Sequence, residues 1–135
     1  MVDDIVYNKV AIIERCLQRI QQEYAGDPAN LKNLTRQDSI ILNIQRACEA
    51  SIDLAMHFVA IKGLGIPQNS RDAFDLLTAG QVISEDLARR LKGMVGFRNI
   101  AVHNYQKVDL AIVQGVIDNN LQDLVIFGQL SLSNL

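Results

Sequence analysis

The chain has 135 residues, of which 49% are hydrophobic and 21% are charged, and its formal net charge is −2. This length is typical of one domain with its own core. The negative charge argues against broad, sequence-independent binding to nucleic acid, which needs many Lys and Arg contacts. No apolar run approaches the roughly 20 residues that cross a bilayer, and the acidic start Met1-Val2-Asp3-Asp4 lacks a signal-peptide pattern. We expect a cytoplasmic protein with no membrane contact.

The first two predicted helices carry long apolar stripes with the helical period of three and four residues. The first stripe ends at the turn Gly26-Asp27-Pro28. In the second, Thr35 is the predicted N-cap, Asp38 lies in the first turn, and the helix runs to about Gly63. Its apolar face is wide, so this helix is predicted to be central. The two stripes consist of Val6, Val10, Ile13, Leu17, Ile20 and Tyr24, and of Ile41, Ile44, Cys48, Ile52, Ala55 and Val59.

The second half of the chain predicts three further helices. Ser70 is the predicted cap of a short helix over residues 71–79, Ser84 of the next helix, and Asp109 of the last one. Residues 129–135 are expected to form a loose tail. The resulting fold is all-α, an antiparallel helical bundle of four long helices plus one short helix. It forms a single domain over residues 1–128.

No metal or cofactor site is expected. The two cysteines, Cys16 and Cys48, lie inside helical patterns and are predicted to be reduced core thiols. The chain contains neither a Cys-x-x-Cys nor a His-x-x-x-His pair, and no Gly-rich phosphate loop.

The chemistry of the chain is concentrated in one string, Arg-x4-His-x-Tyr, formed by Arg98, His103 and Tyr105. Arg binds phosphate through a planar fork, and His transfers protons near neutral pH. Arg98 lies in line with apolar residues of its helix, so we expect it to be partly buried and to need an anion. Asp53 and Glu49 are the candidate anions, and an ion pair that only ties helices together is the alternative interpretation.

A second stripe of the same helix is polar and basic, and we interpret it as the face that contacts phosphate. It contains Arg89, Lys92, Gly96, Asn99 and His103. Because Arg98 and His103 are five residues apart, they lie about 140° apart around an ideal helix. Both can contact one phosphate only if the helix ends near His103 or a second chain completes the site. The alternative for His103 is a helix C-terminal residue stabilised by the helix dipole.

The motif and its surroundings resemble the HepT group of HEPN-domain proteins. The phrase Met94-Val95-Gly96-Phe97-Arg98-Asn99 is similar to this family, as is the string Ser51-Ile52-Asp53-Leu54-Ala55-Met56-His57. Gly65-Ile66-Pro67 followed by Ser70-Arg71-Asp72-Ala73-Phe74 is similar as well. The resemblance covers about residues 5 to 127.

This resemblance implies the toxin half of a type VII-like toxin–antitoxin system, a metal-independent endoribonuclease that acts as a homodimer. Arg98 and His103 would be its catalytic pair, with Asn99 as the polar residue that follows the Arg. The resemblance also implies a partner, an MntA-like nucleotidyltransferase antitoxin. This partner would attach AMP to Tyr105 and so neutralise the toxin.

RNA supplies its own nucleophile, the 2′-OH, so cleavage requires a base, an acid and positive charge for the phosphorane. Arg98 fits the last role, and His103 can be the base or the acid. The second proton-transfer group is either the motif histidine of a second copy or His57. For His57, a helix-stabilising pair with Asp53 is the alternative. We prefer the dimer because Gly93 and Gly96 permit close approach of helices.

Two other classes of function stay open at this point. The bundle could be a non-catalytic, nucleotide- or substrate-binding subunit of a nucleotidyltransferase complex, with the basic stripe holding nucleotide. It could also be a purely structural dimerisation bundle, for which removing the His103 imidazole would change no activity.

Overall fold

Every regular element is helical in the computed structural model, which describes the backbone of residues 2–135 and the side chains of residues 4–135. The predicted all-α fold is confirmed. None of the described helices is long and apolar enough to cross a membrane. The side chains of residues 1–3 lie outside this description. The prediction that the N-terminus lacks a signal-peptide pattern rests partly on these residues. The helices are α1 (Val2–Tyr24), α2 (Leu34–Ile61), α3 (Ser70–Ala79), α4 (Glu85–His103), α5 (Leu110–Gly115) and α6 (Leu121–Ser133).

The last two helices form one irregular long helix. A π-helical turn, Val116–Asn120, joins α5 to α6 without a break in the chain. Such a turn accommodates one extra residue within a helix. Counted this way, the described residues form four long helices and one short helix, α3, as predicted.

Side-chain caps set most helix starts. Ser84 accepts a hydrogen bond from the Leu87 backbone N–H at 3.1 Å, and Asp109 accepts one from Ala111 at 2.8 Å, so both predicted caps are confirmed. The other two predicted caps are wrong by one or two residues. Asn33 caps α2 instead of Thr35, and Asn69 caps α3 instead of Ser70. Asn is as strong a cap as Ser and stronger than Thr, and it comes first in each segment.

The C-terminal segment corrects the expectation of a loose tail from residue 129. Helix α6 continues to Ser133. Ser131 is buried, and its hydroxyl donates to the Phe127 carbonyl at 2.8 Å. Leu130 and Leu132 pack against the core. The apolar period therefore continues past residue 128 and holds the segment on the bundle.

Helix α2 lies at the centre of the core, as its wide apolar face predicts. The apolar stripe of α1 is buried apart from Leu17, which is half-buried, and all predicted stripe residues of α2 are buried. Lys9 pairs with Asp53 at 3.0 Å, and Arg36 donates to the Glu23 carbonyl at 3.0 Å, so α1 and α2 run antiparallel. Helix α2 also contacts α4, which carries the motif.

The two cysteines, Cys16 and Cys48, are buried and unpaired. Burial raises the pKa of the Cys48 thiol to about 12. Both behave as core residues, as predicted.

Candidate functional site

Helix α4 places the motif at its C-terminal end. The helix ends at His103, and the backbone N–H of Asn104 closes its last turn. The expected helix end near His103 is therefore confirmed. His103 is exposed, whereas Arg98, five residues earlier, is half-buried in line with buried Leu91 and Met94. Within a single chain, the Arg points inward and the His outward.

Few groups in the structure balance the positive charge of the Arg98 guanidinium. Its Nη2 donates to the Ser70 hydroxyl at 3.5 Å, a long hydrogen bond. Its Nε is buried and has no hydrogen-bond partner in the described part of the chain. No carboxylate among the described side chains forms an ion pair with it. A buried N–H without an acceptor costs stability, so this guanidinium has unused capacity for an anion.

The two anions expected for Arg98 have other partners. Asp53 pairs with Lys9 of α1 at 3.0 Å, and Glu49 accepts from the Gln45 amide at 2.9 Å. Arg98 lies close enough to Cys48 to oppose the effect of burial on that thiol's pKa. Relative to Cys48, Glu49 and Asp53 lie about 100° and 140° further round α2. Both carboxylates therefore lie away from Arg98, and the expected pairing is absent.

His57 lies away from the motif as well. It is nine residues after Cys48, which places it about 180° round α2 and roughly 13 Å further along the axis. Its Nε2 is buried without a hydrogen-bond partner among the described residues, and its ring lies edge-on to Phe58. The expected Asp53–His57 pair does not form, because Asp53 binds Lys9. The structure does not bring His57 to Arg98.

The basic stripe of α4 lies at the surface, but its cations are already paired. Arg89 donates to Asp86 within the first turns of α4, and Lys92 pairs with Asp75 of α3 at 2.7 Å. The Asp86 carboxyl has its pKa lowered by the Arg89 hydrogen bond and by Arg90. Asn99 and His103, at the other end of the stripe, are exposed. The stripe therefore offers neutralised pairs at one end and free polar groups near the motif.

Sequence reasoning assigned no role to Arg71, which contacts α4 at Gly96. A Cβ built on Gly96 would lie 2.8 Å from Nη2 of Arg71, so the missing side chain makes room for this guanidinium. Gly93 has open space around it. Gly96 thus serves a contact within the chain, and only Gly93 leaves the helix surface free. No sequence signal identifies Arg71, because its contact with Gly96 depends on the packing of α3 against α4.

Large apolar side chains are exposed in the last turn of α4 and in α5. Ile100 and Val102 are 46% and 44% exposed, and Ile112 of α5 is 53% exposed. The sequence did not predict this exposure, because the three residues share no helical stripe. Ile100 and Val102 lie about 160° apart around α4. We call Ile100, Val102 and Ile112 the exposed apolar residues.

Tyr105 begins the short 3-10 turn that follows Asn104. It is 41% exposed, and its phenol donates a hydrogen bond to the Asp38 carboxylate of α2. Burial, and then this hydrogen bond, raises the pKa of Tyr105 to about 12. The sequence predicted only that Asp38 lies in the first turn of its helix, and it gave no sign of the hydrogen bond to Tyr105.

The arrangement combines a half-buried Arg, an exposed His and a hydrogen-bonded Tyr around the end of one helix. No hydrogen bond joins Arg98, His103 and Tyr105 to one another in the described range. No group of three His, Cys, Asp or Glu side chains within that range could hold a metal ion.

The fold and the motif together define the class of all-α, HEPN-like proteins. Residues 13–129 match the model of the ribonuclease HepT-like family. The chain belongs to the ribonuclease HepT-like family, which confirms both the resemblance and the enzyme class.

Characterised relatives are similar over nearly the whole chain. The mRNA nuclease HepT of Shewanella oneidensis is 52% identical over 122 residues, which cover 90% of this chain and 91% of the relative. A solved structure of the tri-AMPylated Shewanella oneidensis HEPN toxin in complex with MNT antitoxin is 51% identical, with a TM-score of 0.89. That similarity covers 94% of this chain and 96% of the other. A toxin–antitoxin structure with AMP-PNP is 50% identical, covers 95% and 98% of the two chains, and also has a TM-score of 0.89.

Proposed function

We propose that the chain is an endoribonuclease toxin that cleaves RNA without a metal ion, through attack of the RNA 2′-OH on the adjacent phosphate. Arg98 stabilises the phosphate and His103 transfers protons. The observation that carries this proposal is the state of Arg98, a half-buried guanidinium with an unsatisfied Nε and no described carboxylate partner. The relative named as an mRNA nuclease supports RNA as the substrate.

The chemistry assigns each motif residue a separate task. The phosphorane formed by 2′-OH attack carries extra negative charge, and a fixed cation stabilises it. Arg98 suits this task because its fork matches phosphate oxygens and stays charged. His103 suits proton transfer because imidazole transfers protons near neutral pH, and it is exposed in the last turn of α4, where RNA can reach it.

A second copy of the chain completes the site in this proposal. One imidazole does not fill the roles of base and acid in a single step, and His57 lies on the far side of α2. The motif histidine of a second protomer is the remaining candidate. Two large apolar side chains, Ile100 and Val102, are exposed in the same helical turn as His103, and this supports a twofold contact at this end of α4.

The other residues predicted to contact RNA or to support the motif differ in how well their surroundings suit these roles. Asn99 is exposed and lies one turn before His103, so its amide can bind the same phosphate backbone. Arg89 and Lys92 contact RNA phosphate only if they exchange partners with Asp86 and Asp75. The other two supporting residues, Asp53 and His57, have no contact with the motif, and we assign them no chemical step.

Regulation by AMP is the second half of the proposal. A partner nucleotidyltransferase antitoxin of the MntA type attaches AMP to Tyr105, in line with the relative described as tri-AMPylated and bound to its antitoxin. Tyr105 is exposed at the end of the motif helix, so its phenol is accessible to a second protein. The added phosphates would compete with RNA for Arg98.

The test of the nuclease assignment compares Arg98→Ala and His103→Ala with wild type. We expect both to lose cleavage and toxicity with helix content unchanged, since one acid–base group contributes about 10²–10⁴ in rate. Arg98→Lys should retain little cleavage activity, because Lys lacks the planar fork of Arg. His57→Ala is the matched control and should retain activity. Near-normal cleavage by His103→Ala would contradict the assignment and favour a non-catalytic subunit.

The test of the regulatory assignment is intact-mass analysis after co-expression with the cognate nucleotidyltransferase. We expect mass increases in multiples of AMP that vanish in Tyr105→Phe, whereas Tyr7→Phe, at another exposed tyrosine, should leave them unchanged. Neutralisation without any adduct would mean that the partner inhibits by binding alone.

A further inference from the structure

The hydrogen bond between Tyr105 and Asp38 joins parts of the chain that are 67 residues apart. Asp38 lies in the second turn of α2, a rigid element that begins at Leu34, whereas Tyr105 lies on the short turn after α4. No cation among the described side chains forms an ion pair with Asp38. The phenol is its one described side-chain hydrogen-bond partner, so no described cation competes with the phenol for this carboxylate.

A phenol that attacks a phosphate must lose its proton. At neutral pH the Tyr105 phenol is un-ionised, because burial and the hydrogen bond raise its pKa to about 12. The attacking oxygen therefore needs a base within hydrogen-bond distance. Asp38 already contacts the phenol O–H and is held on a helix.

We propose that Asp38 is the general base for AMP transfer onto Tyr105, so that the toxin itself supplies part of the chemistry of its own neutralisation. This inference rests on the proposed role of Tyr105 as the AMP acceptor. In the step, a bond forms between the Tyr105 Oη and the α-phosphorus of ATP. The bond from that phosphorus to the bridging oxygen breaks, pyrophosphate leaves with the electron pair, and the phenol proton moves to the Asp38 carboxylate.

Transfer of the proton also removes an electrostatic penalty. The product carries a phosphodiester next to Asp38, and two neighbouring anions repel each other. A protonated Asp38 is neutral when that phosphodiester forms. A carboxylate that only anchored the tyrosine would stay charged and would oppose the transfer.

The proposal applies to the first AMP alone. Each later unit must be attached to a hydroxyl of the AMP already present, and that hydroxyl is not the one bonded to Asp38. Loss of the base should therefore slow the first addition without changing how far the chain then grows.

The experiment follows AMP addition by intact mass, with saturating cognate nucleotidyltransferase, ATP and Mg²⁺. For Asp38→Asn we expect the initial rate to fall at least about 100-fold, within the range of a single acid–base group. At completion, the number of AMP units per modified chain should match that of the wild type. Asp38→Glu should restore part of the rate. Asp53→Asn, which removes another exposed carboxylate of α2, is the matched control and should modify at the wild-type rate.

A more acidic phenol at position 105 distinguishes a general base at Asp38 from a carboxylate that only holds the tyrosine in place. Replacing Tyr105 with difluorotyrosine makes the phenol more acidic, so AMP addition depends less on a base. The difference in initial rate between wild type and Asp38→Asn should therefore become smaller. An unchanged difference, or a wild-type rate for Asp38→Asn, would overturn the proposal. Melting curves and partner affinity of Asp38→Asn should match wild type, and a loss of either that accounts for the slower rate would also overturn it. Persistent modification of Tyr105→Phe would instead refute the acceptor assignment made above.

Discussion

Arg98 shows what the sequence reveals about a single residue and what it leaves out. Its place in an apolar stripe predicts partial burial, because the helical period alone determines which face a residue occupies. Its partner could not be predicted, because the Ser70 hydroxyl reaches it only through the packing of α3 against α4. The rejected partners, Asp53 and Glu49, are correct in charge and wrong in direction around α2.

The unsatisfied state of Arg98 predicts that function and stability oppose each other at this position. Arg98→Met keeps the apolar length of the side chain and removes the buried Nε. We expect stability to rise by about 1–3 kcal/mol, the usual cost of an unsatisfied buried donor, while cleavage is lost. Urea denaturation measures the first effect. A destabilised Arg98→Met variant would mean that the guanidinium has a structural partner and is not held ready for phosphate.

Tyr105 is a second residue whose partner cannot be predicted from the sequence. The motif marks Tyr105 from the sequence, but its partner Asp38 is 67 residues away. Only the antiparallel packing of α2 and α4 brings the two together. No local pattern contains this contact.

At the scale of elements, the helix boundaries were largely predictable because caps are local. Ser84 and Asp109 hold the starts of α4 and α5 as expected. The errors at α2 and α3 arose where two capping residues, Asn33 and Thr35 or Asn69 and Ser70, compete within three positions. The π-helical turn Val116–Asn120 has no sequence signal that we can identify.

The first turn of α4 gives a pH-dependent prediction. Asp86 accepts from Arg89 and pairs with Arg90, and these contacts hold its pKa below the usual value. A carboxyl with a lowered pKa in the folded state stabilises the fold above its unfolded pKa, near 4, and loses this contribution as pH falls through the folded value. We expect Asp86→Asn to melt below wild type at pH 7, with the difference shrinking as the pH falls below about 4.

Thermal melts across pH 3 to 7 measure this difference. Asp27→Asn, which affects only the cap of a short 3-10 turn, serves as a comparison outside α4. A gap between Asp86→Asn and wild type that widens as pH falls would contradict the assignment.

At the scale of the whole molecule, the single chain leaves the site incomplete. Arg98 points into the bundle, His103 points out of it, and Ile100 and Val102 are exposed in the same last turn of α4 as the histidine. The all-α class and the central position of α2 were predictable from periodicity, because burial of apolar stripes dominates the fold. The exposure of Ile100, Val102 and Ile112 was not, because the packing of the helices determines which apolar residues stay uncovered.

This geometry predicts a homodimer through the end of α4. Ile100→Asp should convert the protein to a monomer and reduce cleavage strongly, because a charge in the contact is costly to bury. Ile66→Asp is the matched control, since Ile66 is 83% exposed on the loop between α2 and α3. Light scattering at micromolar concentration measures the mass. A wild-type protein that stays monomeric would contradict the dimer.

The central claim is that the RNA 2′-OH is the nucleophile and that Arg98 and His103 replace a metal ion. The most direct measurement compares cleavage of one RNA substrate with the same substrate carrying a single 2′-deoxy nucleotide at the cut, both in excess EDTA. We predict full cleavage of the all-RNA substrate, with a 2′,3′-cyclic phosphate or 3′-phosphate end, and no cleavage at the deoxy position. Cleavage of the deoxy substrate, or a requirement for Mg²⁺, would contradict this mechanism.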